Sequence, residues 1–299
     1  MPNSSCAAGC RHRAAAWANA AGRRADGGRL WHVDARIPGL GEGVVLGQSD
    51  IAIGNVIGSN LFNVAVILAV SAMVCPIATN LQVLRWDAPI MVAVSLAAFG
   101  LARDGEISRA EGIAFVAGAI LYTAAAIRLA RRDLSAGREP QIDVPEIEKP
   151  KGSALRDIAL ILGGLGLLAL GARVLVDNAV SLARGFGVSE VIIGLTIVAA
   201  GTSVPELATS VVAALRRQPD IALGNVLGSN LFNILFVLGA SGAIHPVKTS
   251  GAGILDWAFM LGTSAALVPF LYTGKRLSRP EGAILAASYG VYLFLLWPK

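Results

Sequence analysis

The sequence is poor in charge. Aspartate, glutamate, lysine and arginine make up 15% of its 299 residues, whereas soluble globular proteins contain about 25%. It has three histidines and three cysteines, in no spacing that fits a zinc site or a disulfide framework. The sequence has no phosphate-binding loop with a lysine, which argues against chemistry driven by ATP. These shortages exclude an ordinary soluble enzyme.

The stretches without charged residues are long and apolar, and 55% of all residues are hydrophobic. A helix that crosses a bilayer needs about 20 apolar residues. We therefore predict an all-α integral membrane protein, embedded in lipid, and we attribute its net charge of +5 to loops retained on the cytoplasmic side rather than to nucleic acid binding. The predicted spans are 51–75, 87–101, 108–127, 157–180, 188–213, 221–243, 253–273 and 280–297.

An internal repeat organises the chain. Residues 48–63 and 218–233 are identical at 13 of 16 positions when aligned without a gap. The second copy has five predicted spans, and an odd number of spans forces two copies into opposite orientations, so we expect inverted repeats. The predicted units are an atypical segment 1–47, a truncated first repeat with three spans at 48–127, a cytoplasmic linker at 128–156 and a complete second repeat at 157–299.

Residues 1–47 do not continue the repeat. The motif GTSVPE at 201–206 should have its counterpart at 31–36, which read WHVDAR. The segment contains six arginines and no apolar run long enough to cross a bilayer. One hypothesis is a shifted reading frame or a misplaced start that removed two helices. The alternative is a genuine soluble extension or a charged targeting segment.

Glu206 lies within a predicted span, where a carboxylate is costly unless it has a partner or lines a wet cavity. Pro205 cannot donate a backbone hydrogen bond. We expect the helix to break here and to free carbonyls near Val198 and Ala199, and a cation is one partner for such groups. Thr202 and Ser203 add hydroxyl oxygens. The alternative is a proline kink for helix packing, with Glu206 protonated.

The motif GNVxGSNLFN occurs in both repeats and places several polar side chains in apolar helices. Its paired glycines suit close helix packing, but they do not account for its asparagines and serine. Ser59 and Asn63 share one helix face, as do Ser229 and Asn233. We expect these oxygens to converge near the middle of the membrane, where hard oxygen ligands suit calcium, magnesium or sodium.

Arg173 and Asp177, four residues apart, are predicted to form a structural ion pair.

The motifs at 54–63, 201–206 and 224–233 resemble the alpha-repeats of the calcium/cation antiporter superfamily, especially the prokaryotic sodium/calcium exchangers. The resemblance implies a ten-helix fold of two inverted five-helix repeats, of which about eight spans remain here. It implies exchange of calcium for sodium, with both ions bound transiently and no resident cofactor. It also implies a cation site formed by Glu206, Asn233, Ser229, Thr202, Ser203, the Ala199 carbonyl, Asn63 and Ser59, in which Glu206, Asn233 and Asn63 would ligate the metal.

Two departures from the family pattern affect the expected function. The first GTSxPE motif, with its central glutamate, is absent, and Asn233 stands where some relatives have aspartate. We therefore expect secondary active transport of calcium against sodium, impaired in this chain, in a prokaryotic cell membrane. Exchange of calcium for protons, antiport of another cation and a non-transporting remnant remain alternatives, and the oligomeric state stays open.

Overall fold

The computed structural model describes residues 49–79, 82–135 and 154–296. The segment 1–47 lies outside these residues, so both hypotheses about it remain predictions. The α-helices, in chain order, are α1 Ser49–Phe62, α2 Ala69–Val74, α3 Ala88–Leu101, α4 Arg109–Ser135, α5 Ala154–Gly185, α6 Glu190–Ile193, α7 Ala199–Thr202, α8 Val204–Leu215, α9 Pro219–Phe232, α10 Gly239–Ile244, α11 Ile254–Tyr272 and α12 Arg279–Leu296. The short strands are β1 Ile77–Ala78, β2 Glu106–Ile107, β3 Val247–Lys248 and β4 Arg276–Leu277.

The structure confirms an all-α membrane fold. Within the described residues, six helical stretches are long and apolar enough to cross a bilayer: Ala52–Val74, Val83–Asp104, Arg109–Leu129, Leu155–Gly185, Pro219–Ile244 and Ile254–Lys275. A seventh consists of Glu190–Thr202 and Val204–Leu215, bent by 47°. The eighth predicted span corresponds to α12, whose 18 residues do not reach the length and hydropathy of the other seven stretches because its first turn carries Arg279 and Glu281. Helix α4 runs to Ser135, into the segment predicted as a linker.

The repeat in the sequence is also a repeat in the structure. Helices α1 and α9 are both 14 residues long, and they begin and end at equivalent positions of the two copies. Each is followed by a π-helical turn of six residues, Asn63–Leu68 after α1 and Asn233–Leu238 after α9. In a π-helix the backbone hydrogen bonds reach one residue further than in an α-helix, and such turns are frequent at functional sites. Both turns begin at an asparagine of the doubled motif.

The two repeats are joined by two small antiparallel strand pairs. Strand β1 of the first repeat pairs with β4 of the second, and β2 of the first pairs with β3 of the second. The alignment of the two repeats superposes β1 on β3 and β2 on β4, so each strand pair is the counterpart of the other. This exchange is what a pseudo-two-fold axis between the repeats requires.

Close packing between the repeats depends on glycine at the start of their last helices. A Cβ on Gly112 of α4 would overlap the backbone of α10 in the second repeat. A Cβ on Gly282 of α12 would lie 2.9 Å from the Ala69 carbonyl oxygen of the first repeat. Each last helix therefore packs against the other repeat, so that the repeats share one core.

Helix α5 lies on the outside of this bundle. Its leucines are mostly exposed, for example Leu167 with 72% of its surface accessible, as expected for a helix that faces hydrocarbon. The predicted Arg173–Asp177 ion pair is present, with 3.7 Å between Nε and Oδ2. In water such an exposed pair would add little stability.

Candidate cation site

A helix break marks the centre of the second repeat. Ser203 joins α7 to α8 with φ −95° and ψ 5°, and Pro205 stands at the beginning of α8. The predicted helix break is therefore confirmed. The prediction of a freed carbonyl at Ala199 is wrong, because that oxygen accepts the Ser203 N–H at 3.2 Å. Because Pro205 has no N–H, the carbonyl that loses a helical hydrogen bond is the one four residues earlier, at Gly201.

Hydroxyls from both repeats meet at this break in a group that we call the Thr202 cluster: Asn55, Ser59, Thr202 and the Ala199 carbonyl. Thr202 Oγ1 donates to Asn55 Oδ1 at 3.0 Å and lies 3.3 Å from Ser59 Oγ. Both hydroxyls lie within 3.4 Å of the Ala199 carbonyl oxygen. The cluster forms because Gly58, next to Ser59, has no side chain to separate α1 from α7.

A second group, which we call the Glu206 cluster, consists of Glu206, Ser210, Asn225 and Ser229. Ser229 Oγ donates to Glu206 Oε1 at 3.3 Å, and the carboxylate side chain is buried, with 7% of the residue exposed. Asn225 Nδ2 donates to Ser210 Oγ at 3.1 Å. Helix α8 thus turns its carboxylate toward the doubled motif of α9.

Four buried asparagines, which we call the asparagine brace, connect the repeats: Asn60, Asn63, Asn230 and Asn233. Asn63 Nδ2 donates to Asn230 Oδ1 at 2.9 Å, and Asn233 Nδ2 donates to Asn60 Oδ1 at 2.8 Å. None of the four exposes more than 2% of its surface. The structure therefore brings the asparagines of the two motifs together, whereas Ser59 lies in the Thr202 cluster and Ser229 in the Glu206 cluster.

Two oxygens near these clusters are buried without a hydrogen-bond partner among the described residues, Asn63 Oδ1 and Ser203 Oγ. Buried polar atoms normally have a partner, and a bound cation supplies one. In the described part of the chain no three His, Cys, Asp or Glu side chains lie together. The donor set is thus one carboxylate among neutral oxygens, which suits a hard cation rather than zinc or copper.

Sequence reasoning missed five polar residues that the structure places in these clusters: Asn55, Asn60, Ser210, Asn225 and Asn230. Four of them belong to the doubled motif. A buried amide needs hydrogen-bond partners, so each asparagine in an apolar helix was a signal. Ser210 lies one turn after Glu206 on α8, and the helical period indicates its position on the same face.

Inverted helical repeats that bring oxygen-bearing side chains to a helix break inside the membrane are the architecture of a secondary transporter. The chain belongs to the sodium/calcium exchanger protein family, whose sequence profile matches residues 43–128 and 157–297. It is a cation antiporter of the calcium/cation antiporter superfamily, in the prokaryotic branch.

Three relatives span most of the chain. It is 36% identical over 258 residues to a putative antiporter, CaxA, from Alkalimonas amylolytica, a match that covers 84% of this chain and 80% of that protein. It is 35% identical over 255 residues to the inner membrane protein YrbG of Escherichia coli, with 84% and 78% covered. It is 30% identical over 282 residues to the sodium/calcium exchanger MaX1 of Methanosarcina acetivorans, with 83% and 81% covered.

Solved structures of the sodium-calcium exchanger NCX_Mj share the fold. One, soaked with Na⁺ and Sr²⁺, aligns with a TM-score of 0.68 at 27% sequence identity. The alignment covers 86% of this chain and 81% of that structure.

Proposed function

We propose that this protein exchanges calcium for sodium, with the two ions competing for one site around Glu206. The observation that carries the proposal is the buried Glu206 carboxylate, which accepts the Ser229 hydroxyl across two helices of the broken repeat. A carboxylate at that depth is expensive in lipid, and a transported cation bound by this and the neighbouring oxygens next to the helix break would offset that cost.

The ligands that we propose are Glu206, Ser229 and Asn233 from one side, with Asn63, Ser203 and the Thr202 cluster from the other. Ser229 and Asn233 are four residues apart, so they lie on successive turns of one face. Asn63 Oδ1 and Ser203 Oγ are buried and lack a hydrogen-bond partner among the described residues.

Charge supports the further proposal that calcium exchange is weak in this chain. Glu206 supplies one negative charge, and Asn233 and Asn63 are neutral amides. One carboxylate balances a sodium ion but leaves a calcium ion with an uncompensated positive charge, which is costly in a low-dielectric interior. We therefore expect sodium to compete strongly with calcium.

The test is calcium uptake into everted membrane vesicles loaded with sodium or with potassium. We expect uptake of radioactive calcium in sodium-loaded vesicles to exceed that in potassium-loaded vesicles. Glu206→Gln, which keeps the size of the side chain and removes its charge, should reduce the difference to background. Uptake that follows an imposed pH gradient but not sodium would identify protons as the counter-ion. Identical signals from the chain and the Glu206→Gln variant under both gradients would refute antiport and favour the non-transporting alternative.

We place the protein in the prokaryotic cell membrane. The relative YrbG, named an inner membrane protein, supports this location. Fractionation of cells that express the full chain, with detection in the inner-membrane fraction, would test it.

A further inference from the structure

Asn60 and Asn230 form a reciprocal pair that no proposed ligand role explains. Asn60 Nδ2 donates to the backbone carbonyl oxygen of Asn230 at 3.3 Å, and Asn230 Nδ2 donates to that of Asn60 at 3.2 Å. A carbonyl oxygen only accepts hydrogen bonds. The atom that approaches it must therefore be the amide nitrogen, and this fixes which way each of the two amides points.

The fixed amides in turn orient their neighbours. With its nitrogen held, Asn60 offers Oδ1 on its other side, where it accepts Asn233 Nδ2 at 2.8 Å. Asn230 Oδ1 accepts Asn63 Nδ2 at 2.9 Å in the equivalent way. The nitrogens of Asn63 and Asn233 are thus engaged within the brace, and this directs the side-chain oxygen of each amide away from the brace. Asn63 Oδ1 is indeed buried without a hydrogen-bond partner among the described residues.

We propose that Asn60 and Asn230 are positioning residues, which hold the amides of Asn63 and Asn233 so that each presents oxygen, not nitrogen, to the cation. This inference rests on the proposed function, because it matters only if a cation binds there. The chemical reason is the polarity of the amide. A half-turn of the amide group exchanges an acceptor with partial negative charge for an NH₂ group with partial positive charge, and this group repels a cation.

Orientation matters more here than in a site rich in carboxylates. A carboxylate presents oxygen in either rotation, whereas an amide ligand works in one of its two rotations. Asn233 lies one turn from Ser229, which donates to Glu206 Oε1. A flipped Asn233 would therefore turn an NH₂ group, with its partial positive charge, toward a cation bound at Glu206.

The test is a double-mutant cycle between Asn60 and Asn233, measured as calcium affinity of the full chain in detergent by titration calorimetry with CaCl₂. Asn60→Leu keeps approximate size and removes the acceptor for Asn233 Nδ2. Loss of a partner that orients a metal ligand typically weakens affinity about 10- to 100-fold, and we expect a loss in that range. In the Asn233→Asp background no rotation needs fixing, so Asn60→Leu should change the dissociation constant by no more than about twofold, the scatter of independent sites.

The matched control is Asn178→Leu, since Asn178 is exposed on α5 and donates to the Val174 carbonyl within its own helix. It should leave calcium affinity unchanged. Equal losses from Asn60→Leu in both backgrounds would mean that Asn60 acts through packing alone, and this would overturn the inference. An unchanged affinity after Asn60→Leu would overturn it as well. Failure of the proposed function has a different signature, namely no calcium binding by the unsubstituted chain and none by Asn233→Asp.

Discussion

At the scale of single residues, we propose that charge decides which cation the site favours. Glu206 is a buried carboxylate that accepts the Ser229 hydroxyl, and the other groups of the two clusters are amides, hydroxyls and a carbonyl. Asn233 lies one turn beyond the serine that contacts Glu206. In the proposed site, a charge at position 233 acts on the same ion as Glu206, and it is the simplest change that would shift selectivity toward a divalent cation.

We predict that Asn233→Asp tightens calcium binding about tenfold or more relative to sodium. Two unit charges about 4 Å apart interact by about 4 kcal/mol at an effective dielectric constant of about 20, and part of this gain is offset by desolvation of the new carboxylate. Titration calorimetry with CaCl₂ and with NaCl measures the ratio. Asn178→Asp, on the exposed face of α5, should leave it unchanged. A calcium-to-sodium ratio that stays constant in Asn233→Asp would place residue 233 away from the ion.

The sequence alone could predict which polar residues lie inside the protein, but not which residues they form hydrogen bonds with. Glu206, Ser229 and Thr202 were predictable because a polar group in an apolar helix has a cost that only a partner removes. The partner of each asparagine was not predictable, because Asn60 bonds to Asn230 in the other repeat and only the packing of α1 against α9 brings them together. The prediction of a free carbonyl at Ala199 was wrong for a local reason. Pro205 removes the hydrogen bond to the carbonyl of Gly201, four residues earlier, and leaves the bond to the carbonyl of Ala199 intact.

At the scale of helices, the two copies of the doubled motif have different surroundings. A Cβ on Gly58 would overlap the Leu195 carbonyl oxygen and lie 2.7 Å from Ala199 Cβ, whereas a Cβ on Gly228 meets no described atom within 4 Å. Gly58 is buried and Gly228 is exposed in the described structure. The repeat thus supplies an internal control for the cost of close helix packing.

We predict that Gly58→Ala destabilises the protein by about 1–3 kcal/mol, the usual cost of overpacking, and that Gly228→Ala does not. In α9 the added methyl group should stabilise the helix by up to about 1 kcal/mol, because alanine is the better helix former. Thermal unfolding of the two variants in the same detergent compares them. Equal destabilisation of the two variants would show that the close contact between α1 and α7 is not the reason why glycine is required at position 58.

Helix positions were largely predictable, because a bilayer imposes a minimum apolar length on each span. The second span begins at Val83 rather than at residue 87 and is therefore longer than predicted. The π-helical turns at Asn63 and Asn233 were not predictable. A shift from one backbone hydrogen-bond pattern to the next depends on contacts between helices, and the local sequence is as compatible with an ordinary α-helix.

At the scale of the whole molecule, a cation that binds the folded protein and not the unfolded chain must stabilise it. We predict that calcium at about 100 times its dissociation constant adds about 2.7 kcal/mol to the free energy of unfolding. The unfolding temperature should rise with CaCl₂ and with NaCl but not with choline chloride at equal ionic strength. Glu206→Gln should abolish the rise, and a rise that persists in that variant would locate the ion elsewhere in the protein.

The exchanged strands determine how the two repeats hold together. The span Val83–Asp104 has 22 residues and separates β1 from β2, so a helix about 33 Å long lies between the two strand pairs, and we expect the pairs near opposite faces of the membrane. Unfolding of either repeat would remove a strand partner at both faces at once. The repeats should therefore melt as one cooperative unit, and a protease cut between Ser135 and Ala154 should leave two fragments that still migrate as a single particle.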